Sequence, residues 1–201
     1  MLPSGDIVVA TGNAGKVAEL SRLFADLPYQ LRLQSEFAVT PAHESGETFV
    51  ENAILKARAA AQQTGLPALA DDSGLEVDAL AGAPGVHSAR YAEGGDGGDD
   101  ANNHKLLDAL AGIPTVRRRA RFHCVLVLMR HSLDPVPLIA QGCWEGSILE
   151  APRGEGGFGY DPLFLVPGHG CSAAEIPAAE KNRISHRARA SEQLLALLRS
   201  D

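Results

Sequence analysis

Cysteine is scarce in this chain, and what there is does not pair. Cys124, Cys143 and Cys171 are odd in number and widely spaced, with no C-x-x-C among them. That excludes a disulfide framework and a structural zinc site; the three read as reduced thiols, at least two of them in strand-like runs. Long apolar stretches are missing too. Nothing approaches a membrane span, and the N-terminus lacks a basic region followed by an apolar segment, so no signal peptide is read and the cytoplasm is the expected location. Basic excess is also absent. A net charge of −7 argues against a broad nucleic-acid footprint, which needs a basic face, although a nucleotide pocket needs only a few local cations. The one dense basic run, Arg117-Arg118-Arg119 with Arg121, reads as a solvated turn before a strand. Histidines and cysteines do not cluster at metal spacing, and there is no G-x-S-x-G elbow. His43-Glu44 opens like H-E-x-x-H, but the fifth residue is Glu47, which excludes a zinc peptidase.

What is present suits one α/β domain. With 201 residues, 45% hydrophobic and 21% charged, the chain can bury a sizeable core, and no repeat or clean linker divides it. We read a single domain over 1–201. Val17, Leu20, Phe24 and Leu27 recur at helical intervals until Pro28. A second helix is predicted over Thr48 to Gln63, with Phe49, Ala53, Ala57 and Ala60 as its buried stripe and Gly65 and Pro67 after it. The short run Ala68-Leu69-Ala70 reads as a strand ending at Asp71-Asp72-Ser73-Gly74. Ala81 to Asp100, rich in glycine and aspartate, reads as a mobile loop, and a helix is expected from Ala101 to Leu110. Phe122 to Met129 suits a strand buried on both faces, Leu138 to Trp144 its neighbour, and Leu163 to Val166 a further strand. Ser172 and Glu175 have capping-box spacing. The last helix is expected from Ile184. Interleaved strands and helices predict a mixed central sheet flanked by helices.

Four polar clusters stand at element ends. In the first, Thr11-Gly12-Asn13-Ala14-Gly15-Lys16 follows the apolar run Ile7 to Ala10 and opens a helix. Backbone N–H groups, the helix dipole and the Lys16 charge then point at one spot, an anion site. It is not a P-loop: G-x-x-x-x-G-K-[ST] needs glycine at Ala10 and a hydroxyl at Val17. A metal must therefore be held elsewhere. The second cluster is acidic, with Glu44, Glu47 and Glu51 before Asp71 and Asp72. Magnesium takes one or two carboxylates plus waters and phosphate oxygens, so Glu44 with Asp72 would suffice. Glu47 and Glu51 read as a solvated helix face. Of Asp71 and Asp72, one is expected to cap a turn and the other to be functional. The third cluster, Gly154 to Asp161, contains G-x-G-x-x-G but leads into a strand rather than a helix, which excludes a dinucleotide fingerprint. It offers Phe158 on flexible glycines, a face that can stack a nucleobase or fill a core. The fourth, Glu180 to Arg187, crowds cations and His186 at a helix start, where the dipole disfavours them; an anionic ligand or a charged surface face accounts for that equally.

Seven segments resemble the inosine triphosphate pyrophosphatase family and come in its order. They are Ala10 to Lys16, Phe49 to Ala53, Ala70 to Leu75, Gly82 to Gly85, Ser88 to Tyr91, Gly157 to Pro162 and Ser185 to Arg187. Any one is weak; the ordered set is specific. The loop from Gly94 to Asp100 and the segment around Cys171 match less well. The resemblance implies two lobes with the substrate cleft between them, a homodimer and magnesium dependence. It also implies hydrolysis of ITP, dITP, XTP or dXTP to the monophosphate and pyrophosphate. Carried over residue by residue, Thr11, Gly12, Asn13, Ala14, Gly15 and Lys16 hold the triphosphate. Glu44 and Asp72 hold magnesium, Asp72 is the base, and Ser73 lies beside it. Phe158, Gly159, Tyr160 and Asp161 hold the nucleobase with Lys181, His186 and Arg187, the last two donating to a 6-keto oxygen. A pyrophosphatase of other base preference would be expected to lack Phe158 and Ser185-His186-Arg187, and a non-catalytic nucleotide-binding protein could dispense with Asp72.

Overall fold

Ile7, Val8 and Val9 are all buried, and because strand side chains alternate they serve two cores at once. Ile7 and Val9 join Leu69, Cys124, Leu126 and Leu128 on one face; Val8 and Ala10 join Ala68, Ala70, Val125, Val127 and Met129 on the other. That is why these runs carry almost no polar residue. The computed structural model describes residues 5–25, 27–92 and 98–200.

The strands are β1 (Gly5–Val9), β2 (Tyr29–Leu33), β3 (Ala68–Val77), β4 (Arg119–Met129), β5 (Leu138–Ile148) and β6 (Phe164–Leu165). They form one six-stranded sheet in the order β2-β1-β3-β4-β5-β6. It is mixed: β1 runs parallel to β2 and β3, whereas β5 and β6 are antiparallel. The helices are α1 (Ala14–Leu23), α2 (Phe49–Thr64), α3 (Gly98–Ala109), α4 (Ala178–Ile184) and α5 (His186–Ser200). Among the described residues no helix is long and apolar enough to cross a membrane.

By contacts the chain divides into two compact units, neither contiguous in sequence. The first comprises Met1–Asp72, Cys124–Gly142 and Arg187–Asp201; the second comprises Ser73–His123 and Cys143–His186. In the first, Leu20 and Phe24 of α1 and Ala190 and Leu194 of α5 pack on one sheet face, and Ala53, Ala57 and Ala60 of α2 on the other. The alanine stripe keeps α2 close to the strands. In the second, Leu106 and Leu110 pack with Phe122, Trp144, Tyr160 and Phe164.

Several expectations need correction. β3 does not stop at the acids but runs through Asp71 and Asp72 to Val77. Burial on both faces and charged partners let the strand continue where local turn propensity argued for an end. β2 was not foreseen; its half-exposed residues give no strong alternation. Part of the expected mobile loop is ordered, since Gly85–Arg90 forms a 3-10 helix, while residues 93–97 lie outside the described set. The last helix begins at His186, two residues after the expected Ile184. A short helix not expected from the sequence, α4, precedes it and is capped by the extended backbone of Ser185. The basic run is not a loose turn. Arg118 is buried and donates to the carbonyls of Leu110, Ile113 and Leu149, closing the end of α3. Arg121 pairs with Asp78.

Candidate active site

Asn13 is the N-cap of α1: its side chain accepts the Lys16 N–H at 3.0 Å, and Thr11 Oγ1 accepts the Asn13 N–H at 3.1 Å. Helix geometry leaves the first N–H groups of α1 without an i−4 partner, and the Gly12-Asn13-Ala14 corner is exposed. The corner therefore has the helix N-terminal geometry that the expected anion site requires. Lys16 adds its charge, with Nζ held 2.6 Å from Asp71 Oδ1.

Adjacent residues on a strand face opposite ways, and this separates the two acids of β3. Asp71 shares the face of Leu69, beneath α1 and α5. It is fully buried, takes Lys16 on one oxygen and Arg187 Nε on the other at 2.6 Å, and also accepts from Cys124 Sγ at 3.4 Å. Arg187 also pairs with Glu19. Burial opposes the Asp71 charge, but Arg187 and Lys16 outweigh it and hold the carboxyl well below its ordinary range. Burial likewise opposes the Arg187 charge, and Asp71 overrides it, so the guanidinium stays charged. Burial and Asp71 push the Cys124 thiol up, which keeps it neutral.

Asp72 faces the α2 side. Lys56 Nζ lies 2.5 Å from Asp72 Oδ1 and 3.7 Å from Glu44 Oε1, so one ammonium bridges both carboxylates. Asp72 Oδ2 is buried and has no hydrogen-bond partner among the described residues. Burial lifts the Asp72 carboxyl above its ordinary value; Lys56 and Lys16 pull it down, and Glu44 pushes it up again. Asp72 is a better proton acceptor near neutrality than a solvated aspartate, and its vacant oxygen is what a hard cation or a water would use. Among the described residues no set of three His, Cys, Asp or Glu forms a metal cage. The pair Glu44 and Asp72 still fits magnesium, which keeps several waters and takes substrate oxygens.

The third cluster lies in the second unit. Asp161 Oδ2 accepts the Phe158 N–H at 2.9 Å and Lys181 Nζ at 2.5 Å, and Lys181 sits 5.0 Å from the centre of the Phe158 ring. Gly157 has φ +74°, and a Cβ there would fall 2.0 Å from Asp161 Oδ2, so only glycine allows the turn. Tyr160 is buried and donates its hydroxyl to the Ser88 carbonyl at 2.8 Å. His186 is buried against Phe122, with ring centroids 4.8 Å apart and planes 13° apart.

The expected residues thus fall into two groups. Thr11 to Lys16, Glu44, Asp72 and Arg187 belong to the first unit; Ser73, Phe158 to Asp161, Lys181 and His186 belong to the second. Arg187 differs from expectation: its guanidinium is buried, with Nε on Asp71 and Nη1 on Glu19. Of the cations that crowd 181–187, Lys181 is compensated by Asp161 and Arg187 by Asp71 with Glu19, while Arg183 is exposed. Glu51 is exposed, as expected of a solvated helix face, and also closes a capping box with Thr48 at the start of α2. Lys56 was missed. Its signal was a lysine one residue from Ala57, on the buried stripe of α2, following an acidic stretch.

Asp71 makes a pH prediction. Its folded pKa lies below the ordinary 3.8, so its stabilisation is complete above pH 3.8 and is lost as pH falls below it toward the depressed value. Thermal unfolding from pH 6 down to pH 2 should show Tm dropping below about pH 4. Asp71→Asn should flatten that limb, and an equally steep limb in the variant would remove Asp71 as its source.

An anion cradle at a helix start, a cation fixed beside it and a buried carboxylate with an uncommitted oxygen define an α/β protein built to handle phosphate. The profile of the Ham1 family matches residues 7–197, and the chain belongs to that family. Among its relatives, a dITP/XTP pyrophosphatase of Vibrio parahaemolyticus is 57% identical over 192 residues, 96% of each chain. One of Xanthomonas campestris is 61% identical over 182 residues, covering 90% of this chain and 91% of that one. The structure of a HAM1 protein from Coxiella burnetii superposes with a TM-score of 0.90 at 52% identity, over 98% of this chain and 99% of that one.

Proposed function

We propose that this protein hydrolyses noncanonical purine nucleoside triphosphates, dITP or ITP and XTP or dXTP, to the monophosphate and pyrophosphate, with magnesium as cofactor and a homodimer as the working form. The observation that carries the reading is Asp72, a buried carboxylate of raised pKa with one oxygen on Lys56 and the other uncommitted. A protein that only bound nucleotide would have no use for such a group beside a phosphate cradle. Relatives more than half identical carry the name dITP/XTP pyrophosphatase over nearly their whole length.

A triphosphate brings several negative charges, so catalysis is mostly positioning and charge neutralisation. The α1 cradle of Thr11 to Gly15 and Lys16 hold the phosphate tail, with Asp71 fixing the Lys16 ammonium in place. Lys56 is a second cation for the tail. Magnesium, when bound by Glu44 and Asp72, neutralises phosphate charge and lowers the pKa of a water. Asp72 orients the water that attacks the α-phosphorus and takes its proton on Oδ2, and pyrophosphate leaves. Ser73 lies next to Asp72 as a further substrate contact; at the base end Phe158 supplies a stacking face, with Gly159, Tyr160, Asp161, Lys181 and His186 as its surroundings. The donor assigned to a 6-keto oxygen is His186, because Nε and Nη1 of Arg187 are given to Asp71 and Glu19.

A panel of nucleoside triphosphates, with magnesium and with a chelator, tests this. Monophosphate and pyrophosphate, chiefly from ITP, dITP and XTP and only with magnesium, are the expected products. Diphosphate and orthophosphate would reject the reaction, and undiminished rates in chelator would reject the cofactor. Sedimentation of the purified protein checks the dimer.

A further inference from the structure

Gly159, in the middle of the proposed base-binding segment, is held at both of its peptide groups by one helix. Its N–H donates to Asp99 Oδ2 at 2.5 Å, and its carbonyl accepts from Asn103 Nδ2 at 2.9 Å. Asp99 and Asn103 are four residues apart on α3 and so share a face. Asn103 is buried, whereas Asp99 is exposed. Gly159 has φ +63°, in the region where glycine is free and other residues are not, so without restraint this peptide is the loosest joint of the loop. Its neighbours are already fixed from other directions, Phe158 through Asp161 and Tyr160 through Ser88. Next to Asn103, Asn102 ties down a second loop, accepting the Ala92 N–H at 2.7 Å and donating to the Ala89 carbonyl at 3.2 Å.

We infer that Asp99 and Asn103 are positioning residues for base discrimination, acting by clamping the Gly159 peptide groups beside Phe158. The inference rests on the proposed base-binding role of residues 158–161. Its chemistry is direct. Hypoxanthine and xanthine offer a 6-keto acceptor and an N1–H donor, while adenine offers a 6-amino donor and an N1 acceptor. An unclamped glycine can rotate and present a carbonyl to the adenine amino group or an N–H to its N1. With both groups occupied by α3, the Gly159 peptide has nothing to offer adenine, and the backbone next to Phe158 is held on its C-terminal side.

The test compares kcat and KM for ITP and ATP in wild type, Asp99→Ala, Asn103→Ala, Asp99→Asn and Leu106→Ala. Asp99→Ala and Asn103→Ala should each raise KM for ITP and lower the ITP-to-ATP ratio of kcat/KM by about tenfold, the scale of one hydrogen bond. ITP kcat should stay within about threefold, and inhibition by inorganic tripolyphosphate should be unchanged, because the phosphate end is untouched. Asp99→Asn keeps an oxygen acceptor and should restore most of the ratio. Leu106→Ala loosens the packing of the same helix without touching Gly159 and should leave the ratio alone. Asp99 is exposed, so its variants keep the question open to test even if Asn103→Ala does not fold. An unmoved ratio in folded Asp99→Ala, an equal shift in Leu106→Ala, or no rescue by Asp99→Asn overturns the inference. Wild-type protein that leaves ITP intact overturns the underlying base-binding reading, and it is recognised before any variant is assayed.

Discussion

Asp72→Asn is expected to bind ITP within a few-fold of wild type and to lose turnover by about 10²–10⁴, the range for removing a general base. The substitution keeps the shape of the side chain and an oxygen toward Lys56, so the cradle of α1 and the Lys16–Asp71 pair should be undisturbed. What goes is the group that takes a proton at Oδ2 and offers a negative charge to a cation there. The wild-type pH profile should also carry Asp72 as its acid limb. Without metal, burial raises that carboxyl above its ordinary value. A cation held at Asp72 opposes that shift, so the limb should move to lower pH as magnesium is added, with activity falling as pH drops through it. Asparagine removes the limb along with the rate. Single-turnover kinetics on ITP with a binding measurement on the same variant decide the matter. Near-wild-type turnover would take the proton acceptor away from Asp72, and lost binding would make it a binding residue.

The second large effect is on stability. Arg187 is 1% exposed and neutralises Asp71 and Glu19, which are 0% and 8% exposed. Arg187→Ala leaves two buried carboxylates short of a partner, and breaking a buried pair in this way costs about 3–5 kcal/mol. For a chain of this size that is a Tm loss of roughly 6–20 °C. Arg187→Lys keeps the charge but cannot span Nε to Asp71 and Nη1 to Glu19 together, so an intermediate loss is expected. Calorimetry on both variants checks the order. The lysine variant is also the one on which base reading should be tested, because a flattened ITP-to-ATP preference there is not masked by unfolding. An Arg187→Ala protein as stable as wild type would mean that the buried cluster is not held by this residue.

The two predictions turn on neighbouring aspartates with opposite duties, a division that could not be read along the chain. Asp71-Asp72 looks like a strand end with one cap and one functional acid. In the folded protein neither is a cap: one is a structural anion that steadies Lys16, and the other is the candidate base. Lys56 was overlooked because a lysine on a helix is usually solvated, and only packing of α2 on β3 brings it to Asp72. Arg187 looked like a donor for a ligand because its counter-charges, Asp71 and Glu19, lie 116 and 168 residues away in sequence. The turn of the third cluster was more legible, since Gly157 and Asp161 make it within a few residues.

What the sequence determined by itself is local. Asn13 caps α1, Thr48 and Glu51 cap α2, Gly65 ends it, and apolar runs buried on both faces become central strands, all from interactions within a turn or two of chain. The ordered motifs also carried the family. The tertiary structure alone decided which face of β3 each aspartate joins and which distant cation meets it. Those choices follow from the two-residue alternation of a strand packed between α1 with α5 on one side and α2 on the other. The ionisation of Asp71, Asp72 and Arg187 depends on those long-range neighbours.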